Sequence, residues 1–137
     1  MFASTLLNEQ DFKMKPTESE LAILQILWQK KGATVREVND QLNSQSSSEI
    51  GYTTTLKLMQ IMAEKKLVRR DTNQKIHIYY AQVTEADTQQ ILVNNFVDNA
   101  FRGSAMKLVL HALGNHETSQ DELNEIKNLI QKLENNL

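Results

Sequence analysis

The chain has no cysteine. This absence excludes disulfides and thiolate metal sites, and it fits a cytoplasmic protein. Long apolar runs are also missing, because none approaches the roughly 18–20 residues that cross a bilayer. The first residues turn polar after Leu7 without a basic region before them, so we expect no secretory signal. We therefore expect a cytoplasmic protein without membrane insertion.

Motifs that carry catalysis are absent as well. The three histidines, His77, His111 and His116, show no metal-ligand spacing, and the last two are separated by a glycine turn. The sequence contains neither a glycine-rich phosphate loop nor a nucleophile motif. It therefore predicts no enzyme, no catalytic residue, no metal site and no cofactor.

Charge is distributed unevenly along the chain. The formal net charge is −2, but residues 14–82 carry ten Lys/Arg against seven Asp/Glu, a net of +3. Residues 83–137 carry four against eight, a net of −4, and residues 1–13 supply the remaining −1. This asymmetry fits a nucleic-acid footprint confined to one module, although a bias this small also arises by chance. Charge alone leaves the partner open.

The first half of the chain reads as three helices and a hairpin. Capping boxes at Thr17–Glu20 and Thr34–Glu37 open the first two helices. A third helix begins around Tyr52 after a polar loop. The spacing of apolar residues then changes from a helical to an extended pattern. Residues 67–70 are extended and residues 71–75 form a polar turn. Residues 76–80 are β-branched and aromatic, with His77 at an alternating strand position. This pattern predicts a hairpin over residues 67–81.

Three further helices follow the hairpin. Thr84 caps a long one, Gly103-Ser104 interrupts it, and a capping box at Ser119–Glu122 opens the last. The predicted fold is mainly α with a small β-hairpin: a winged helix-turn-helix domain followed by a three-helix dimerisation region. We expect an arm at residues 1–13, a DNA-binding domain at residues 14–82 and a dimerisation domain at residues 83–137.

The third helix and the hairpin carry groups that suit DNA. In a helix-turn-helix the recognition helix, here residues 53–66, enters the major groove. The hydroxyls of Thr53–Thr55 can bond bases or phosphates and their methyls can contact thymine, while Lys57 and Gln60 lie further along. Arg69, Arg70 and Lys75 would lie over phosphates. In the alternative interpretation these residues have only structural roles: the threonines are helix caps and the arginines form a solvated face.

Several segments of the chain resemble the BlaI/MecI family of penicillinase repressors, which includes the copper-responsive CopY repressors. The matching residues are Thr17-Glu18-Ser19-Glu20-Leu21, Ile23-Leu24, Leu27-Trp28, Ala33-Thr34-Val35-Arg36-Glu37-Val38, Gly51-Tyr52-Thr53-Thr54-Thr55-Leu56, Glu64-Lys65-Lys66-Leu67-Val68-Arg69-Arg70, Tyr79-Tyr80 and Phe101-x-Gly103-Ser104. The resemblance covers the segment from Pro16 to about Leu113.

The resemblance implies a repressor that binds a palindromic DNA operator as a homodimer. It makes Tyr52, Thr53, Thr54 and Lys57 recognition-helix candidates, and Arg69, Arg70 and Lys75 hairpin candidates. The last three helices would interlock between protomers, and each is apolar on one face. Their candidate dimerisation residues are Phe96, Phe101, Leu108, Leu110, Leu123, Ile126 and Ile130.

The chain departs from the family pattern at four places. Many members have arginine where this chain has Ile61, and they tend to have glycine where Lys66 stands. The Asn-Phe bond that is cleaved in staphylococcal members is replaced by His111-Ala112, and no cysteine is present for copper sensing. A membrane sensor protease as partner follows from the resemblance only. The alternative function is a winged-helix protein-interaction module without DNA binding.

Overall fold

The computed structural model describes residues 15–137, so the expected arm at residues 1–13 lies outside the described residues. The described part confirms a mainly helical fold with one hairpin. Its elements are α1 (Glu18–Lys30), α2 (Val35–Gln45), α3 (Tyr52–Glu64), β1 (Val68–Asp71), β2 (Ile78–Ala81), α4 (Glu85–Asn99), α5 (Ala105–Asn115) and α6 (Gln120–Asn135). Residues 15–95 form one compact unit, and residues 96–137 form a second.

All three expected capping boxes are confirmed. The hydroxyl of Thr17 accepts a bond from the Glu20 amide at 3.2 Å, and the Glu20 carboxylate accepts one from the Thr17 amide at 2.9 Å. The same reciprocal pair opens α2 at Thr34 and α6 at Ser119. The starts of these helices are therefore set by local sequence.

The core of the first unit lies between α1, α2, α3 and the hairpin. Its apolar members are Ile23, Leu24, Ile26, Leu27, Ala33, Val35, Val38, Met59, Met62, Leu67, Val68, Tyr79 and Val83. Trp28 packs against this cluster, and its indole N–H donates to the carbonyl of Val83 at 3.0 Å. The buried Glu20 carboxylate also pairs with Lys65 Nζ at 2.8 Å. The start of α1 is thereby tied to the end of α3.

The hairpin is held against the α1–α2 turn. β1 and β2 pair antiparallel, with Val68 opposite Ala81. Tyr79 adds a bridge to Ala33, in which each amide donates to the other residue's carbonyl at 3.0 and 2.8 Å. Beside it, a Cβ at Gly32 would lie 2.5 Å from the Tyr80 ring, and Gly32 has a φ of +114°. Close packing of Tyr80 on the turn therefore requires glycine.

The second strand is shorter than the sequence pattern suggested. Pairing ends at Asp71 and Ile78, so Ile76 and His77 belong to the loop. The prediction that His77 fills an alternating strand position was wrong. The physical reason is that no layer within residues 15–137 covers this end of the hairpin, and Ile76 stays 66% exposed. The Asp71 carboxylate instead accepts from the Asn73 amide at 2.9 Å and turns the chain.

The helix break around Gly103 has a clear backbone origin. Arg102 and Gly103 have positive φ values of 51° and 84°. The hydroxyl of Ser104 then accepts a bond from the Lys107 amide at 3.2 Å and caps α5.

Within residues 15–137, no helix is long and apolar enough to cross a membrane. The expected domain boundary between residues 82 and 83 stays a prediction.

The third helix ends at Glu64, two residues before the expected end, and Lys66 follows in a left-handed conformation with a φ of 64°. The Leu67 amide donates to the Met62 carbonyl at 2.9 Å, and the Lys66 amide donates to that of Ala63 at 3.1 Å. These two bonds form a Schellman motif, whose left-handed position favours glycine. The glycine that the resemblance leads us to expect here would therefore suit the backbone conformation.

We expect Lys66→Gly to raise the free energy of unfolding by about 0.5–1 kcal/mol, because it relieves a left-handed non-glycine residue. Urea denaturation measures the change. Glu64→Gly is the matched control, since Glu64 is exposed but helical, and it should lower stability by up to about 1 kcal/mol. Equal destabilisation by both substitutions would contradict the backbone explanation.

Candidate nucleic-acid interface

Helix α3 has one side in the core and one side exposed. Thr55, Met59 and Met62 are buried, whereas the side chains of Thr53 and Lys57 are exposed. The N-cap residue of α3 is Gly51, and no side chain caps the helix. The interpretation of its threonines as caps is therefore wrong. The exposed face keeps its hydroxyls and its cation for other contacts.

Thr55 is a correction to the sequence-based expectation. The sequence predicts it to contact DNA together with Thr53 and Thr54, but it is 1% exposed. Its hydroxyl oxygen accepts a hydrogen bond from Asn39 Nδ2 at 2.8 Å. Helical spacing explains the difference, because Thr55 lies one turn before Met59 on the core side. Thr55 positions the helix and is not available to DNA.

Two asparagines of α2 hold the loop that leads into α3. Asn39 and Asn43 each donate from Nδ2 to the Ile50 carbonyl at 3.0 Å. Asn43 Oδ1 in turn accepts from the Ile50 amide at 2.6 Å. Together with the Asn39–Thr55 bond, these contacts fix the entry of α3 relative to α2. A recognition helix needs such fixed geometry to meet base edges in one register.

A shallow depression of about 260 Å³ lies on the exposed side of α3. It is lined by Thr53, Thr54, Lys57, Leu58 and Ile61. Three of the five predicted recognition-helix residues therefore lie together here. Ile61, which the sequence marked only as a departure from the family, lies among them.

A larger groove of about 710 Å³ is formed by α2, α3 and the hairpin. The other two recognition-helix candidates, Tyr52 and Gln60, line it together with Arg70 and Lys75 of the hairpin. The structure thus brings helix and hairpin candidates into one surface. The groove is open and carries cations at the hairpin side. It therefore suits the anionic backbone of a nucleic acid better than a small ligand that needs an enclosed pocket.

Arg69 lies on the opposite face of β1 from Arg70, since side chains alternate along a strand. Its guanidinium carbon lies 4.3 Å above the centre of the Tyr80 ring, the strand partner of Arg69. The cation–π contact holds this cation in place while leaving the residue exposed. Arg69 is the one predicted hairpin residue that does not line the groove.

Charges in the groove are mixed. Arg36 contributes a cation, 5.1 Å from the centre of the Tyr52 ring, while Glu37 and Asp40 contribute carboxylates. The pKa of Glu37 lies below its ordinary value of 4.5, chiefly because the Thr34 amide donates to its carboxylate. Glu37 is therefore ionised at neutral pH. The α2 side of the groove is less suited to phosphate than the hairpin side.

Sequence reasoning missed Arg36, Asn39 and Asn43. Arg36 was part of a capping segment, and only its exposed position beside Tyr52 reveals its link to α3. The asparagines resemble ordinary polar residues of a surface helix. The sequence carries a weak signal for Asn39, because it lies four residues after Val35 and therefore shares a helix face with it.

The predicted dimerisation residues all belong to the second unit. Phe96, Leu110 and Ile130 are 59%, 62% and 51% exposed, and the other four candidates are half-buried. Additional exposed apolar residues that were not among the candidates are Met106, Val109, Leu113, Leu129 and Leu133. Every residue of α5 and α6 is exposed or half-buried. The apolar face is therefore broader than predicted.

These features define a winged-helix protein with a basic hairpin beside its third helix. The family model described as "Penicillinase repressor" matches residues 16–132, and the chain belongs to this family. The expected resemblance is thereby confirmed. The family consists of transcriptional regulators rather than enzymes.

Three relatives illustrate the similarity. The methicillin resistance regulatory protein MecI of Staphylococcus aureus (strain N315) is 27% identical over 116 residues, covering 85% of this chain and 93% of the relative. The penicillinase repressor of Staphylococcus aureus is 22% identical, covering 82% and 87%. That of Bacillus licheniformis is 21% identical, covering 87% and 91%. The similarity spans nearly the full length of each relative.

We expect Asn39→Ala to lower the free energy of unfolding by about 1–3 kcal/mol, because Thr55 and Ile50 lose a buried hydrogen-bond partner. Chemical denaturation followed by circular dichroism measures the change. Gln45→Ala, at an exposed position of the same helix, should stay within about 0.5 kcal/mol of the parent. An Asn39→Ala variant as stable as the parent would show that the amide network does not hold α3.

Proposed function

We propose that this protein is a sequence-specific DNA-binding repressor that acts as a homodimer on a palindromic operator. In this proposal α3 enters the major groove and the hairpin lies on the sugar-phosphate backbone. The observation that carries it is the groove in which Tyr52 and Gln60 of α3 lie together with the hairpin cations Arg70 and Lys75. The hydrogen bond from Asn39 of α2 to Thr55 of α3 supports the proposal further, because it fixes the orientation of α3 relative to α2.

The base contacts would come from the first two turns of α3. Thr53 and Thr54 are exposed and small, so that the backbone can approach the base edges closely. Lys57 lies one turn further on the same side and can reach guanine acceptors or phosphate. Tyr52 and Gln60 face the groove, from which they can bond to the backbone or to neighbouring bases.

The phosphate contacts would come from the hairpin. Arg70 and Lys75 line the groove, and Arg69 is presented on the outer face by Tyr80. Arg36, at the start of α2, adds a cation at the other end of the groove. The first helix of a helix-turn-helix crosses the backbone in known complexes, which supports this placement. These contacts supply affinity but little sequence information.

The dimer would form through the second unit. On α6, Leu123, Ile126, Ile130 and Leu133 follow one another at spacings of three and four residues, which is the pattern of a helix that packs along another helix. None of the described side chains of α5 or α6 is buried within the chain. A large apolar face of this kind is unusual for a monomer and supports a second copy as its partner.

The alternative is a winged-helix module that binds another protein. It would use the same groove, in which Leu56 and the ring of Tyr52 offer apolar surface to a partner. The two functions respond differently to salt, because a protein that neutralises several phosphates releases counterions and an apolar interface does not. Binding to DNA sites selected from a random pool, measured across a salt series with random DNA as competitor, separates them.

We expect Arg70→Ala to weaken binding to selected and to random DNA alike, and to reduce the slope of log affinity against log salt by about one. Fluorescence anisotropy with labelled duplexes measures both. Lys132→Ala removes an exposed cation of α6 and should leave the slope unchanged. A salt slope that Arg70→Ala does not alter would remove Arg70 from the phosphate interface.

We expect Ile130→Glu to raise the dimer dissociation constant by about a hundredfold or more, because a charge replaces an apolar side chain of the proposed interface in both copies. Sedimentation equilibrium measures this constant. Asn128→Glu introduces the same charge on the other side of α6 and should preserve the dimer. Dimers of unchanged stability in the Ile130→Glu variant would place the interface elsewhere.

A further inference from the structure

The depression on the exposed side of α3 is chemically distinct from the groove beside it. All five residues that line it come from α3 itself. Leu58 and Ile61 are half-buried and offer only hydrocarbon, and Thr53 and Thr54 each bring a methyl group as well as a hydroxyl. Among these five residues, Lys57 is the one with a charge. The floor of the depression is therefore a set of methyl groups with a cation at its side.

Such a surface suits one feature of the major groove in particular. Guanine, cytosine and adenine present hydrogen-bonding groups there, whereas thymine adds a C5 methyl group. Ile61 can neither donate nor accept a hydrogen bond, so a polar base edge placed against it would lose its water without a replacement. A thymine methyl group placed there loses nothing and gains apolar contact.

We infer that Ile61 is a specificity-determining residue that selects thymine through its C5 methyl group. This inference rests on the proposed function, because it requires α3 to lie in the major groove. Ile61 lies one turn beyond Lys57 and two turns beyond Thr53 or Thr54 on the exposed side. It therefore extends base selection from the first turns of α3 towards its C-terminal half, at a position where neither a carboxamide nor a guanidinium is present.

The test uses DNA sites selected from a random pool, in which each thymine is replaced in turn by uracil. Uracil keeps the pairing edge and removes only the methyl group. The full-length protein should bind about fourfold more weakly when the thymine opposite Ile61 is replaced, which corresponds to one lost methyl contact. The Ile61→Ala variant should bind the thymine and uracil versions of that position equally well.

Ile76→Ala is the matched control, because it removes an exposed isoleucine of the hairpin loop and leaves α3 unchanged. It should keep the preference for thymine at the position read by Ile61. If the parent protein binds selected DNA but tolerates uracil at every position, the inference is wrong and the proposed function stands. If the parent shows no DNA binding even at low salt, both are overturned.

Discussion

The hydrogen bond from Asn39 to Thr55 is the contact on which the exposed surface of the first unit depends. It joins the middle of α2 to the first turn of α3, and the bonds of Asn39 and Asn43 to Ile50 hold the intervening loop. A polar contact of this kind fixes geometry more narrowly than apolar packing, because a displaced helix would leave buried donors and acceptors without partners. Apolar packing stabilises the unit, and the amide network sets where α3 begins.

A second polar contact acts at the other end of α3. The Glu20 carboxylate caps α1 through Thr17 and pairs with Lys65, just beyond the last residue of α3. A largely buried carboxylate with these partners is costly to disturb, since removing one leaves a buried charge. The exposed side of α3 is thus held at both ends by side chains that belong to other helices.

The sequence predicted the fold better than it predicted the site. Capping boxes such as Thr17–Glu20 are local, so their helix starts could be read directly. The burial of Thr55 and the separation of Arg69 from Arg70 were not predictable from composition, because each depends on which side of an element faces its neighbour. The length of the second strand was mispredicted for the same reason. The residues around Ile76 do not reveal that they lack a covering layer within residues 15–137. Assignment to a family identified the region but not the orientation of its side chains.

The contact between Gly32 and Tyr80 has a consequence for genetics. Any side chain at position 32 would displace the Tyr80 ring, and with it the surface on which the Arg69 guanidinium rests. Under the proposed function, a screen for variants that no longer repress would recover substitutions at Gly32 alongside those at cationic residues. Such a variant would have the phenotype of a lost contact to the DNA backbone, although Gly32 itself has no side chain that could contact DNA. The map of repression-defective alleles would therefore extend beyond the surface that touches the operator.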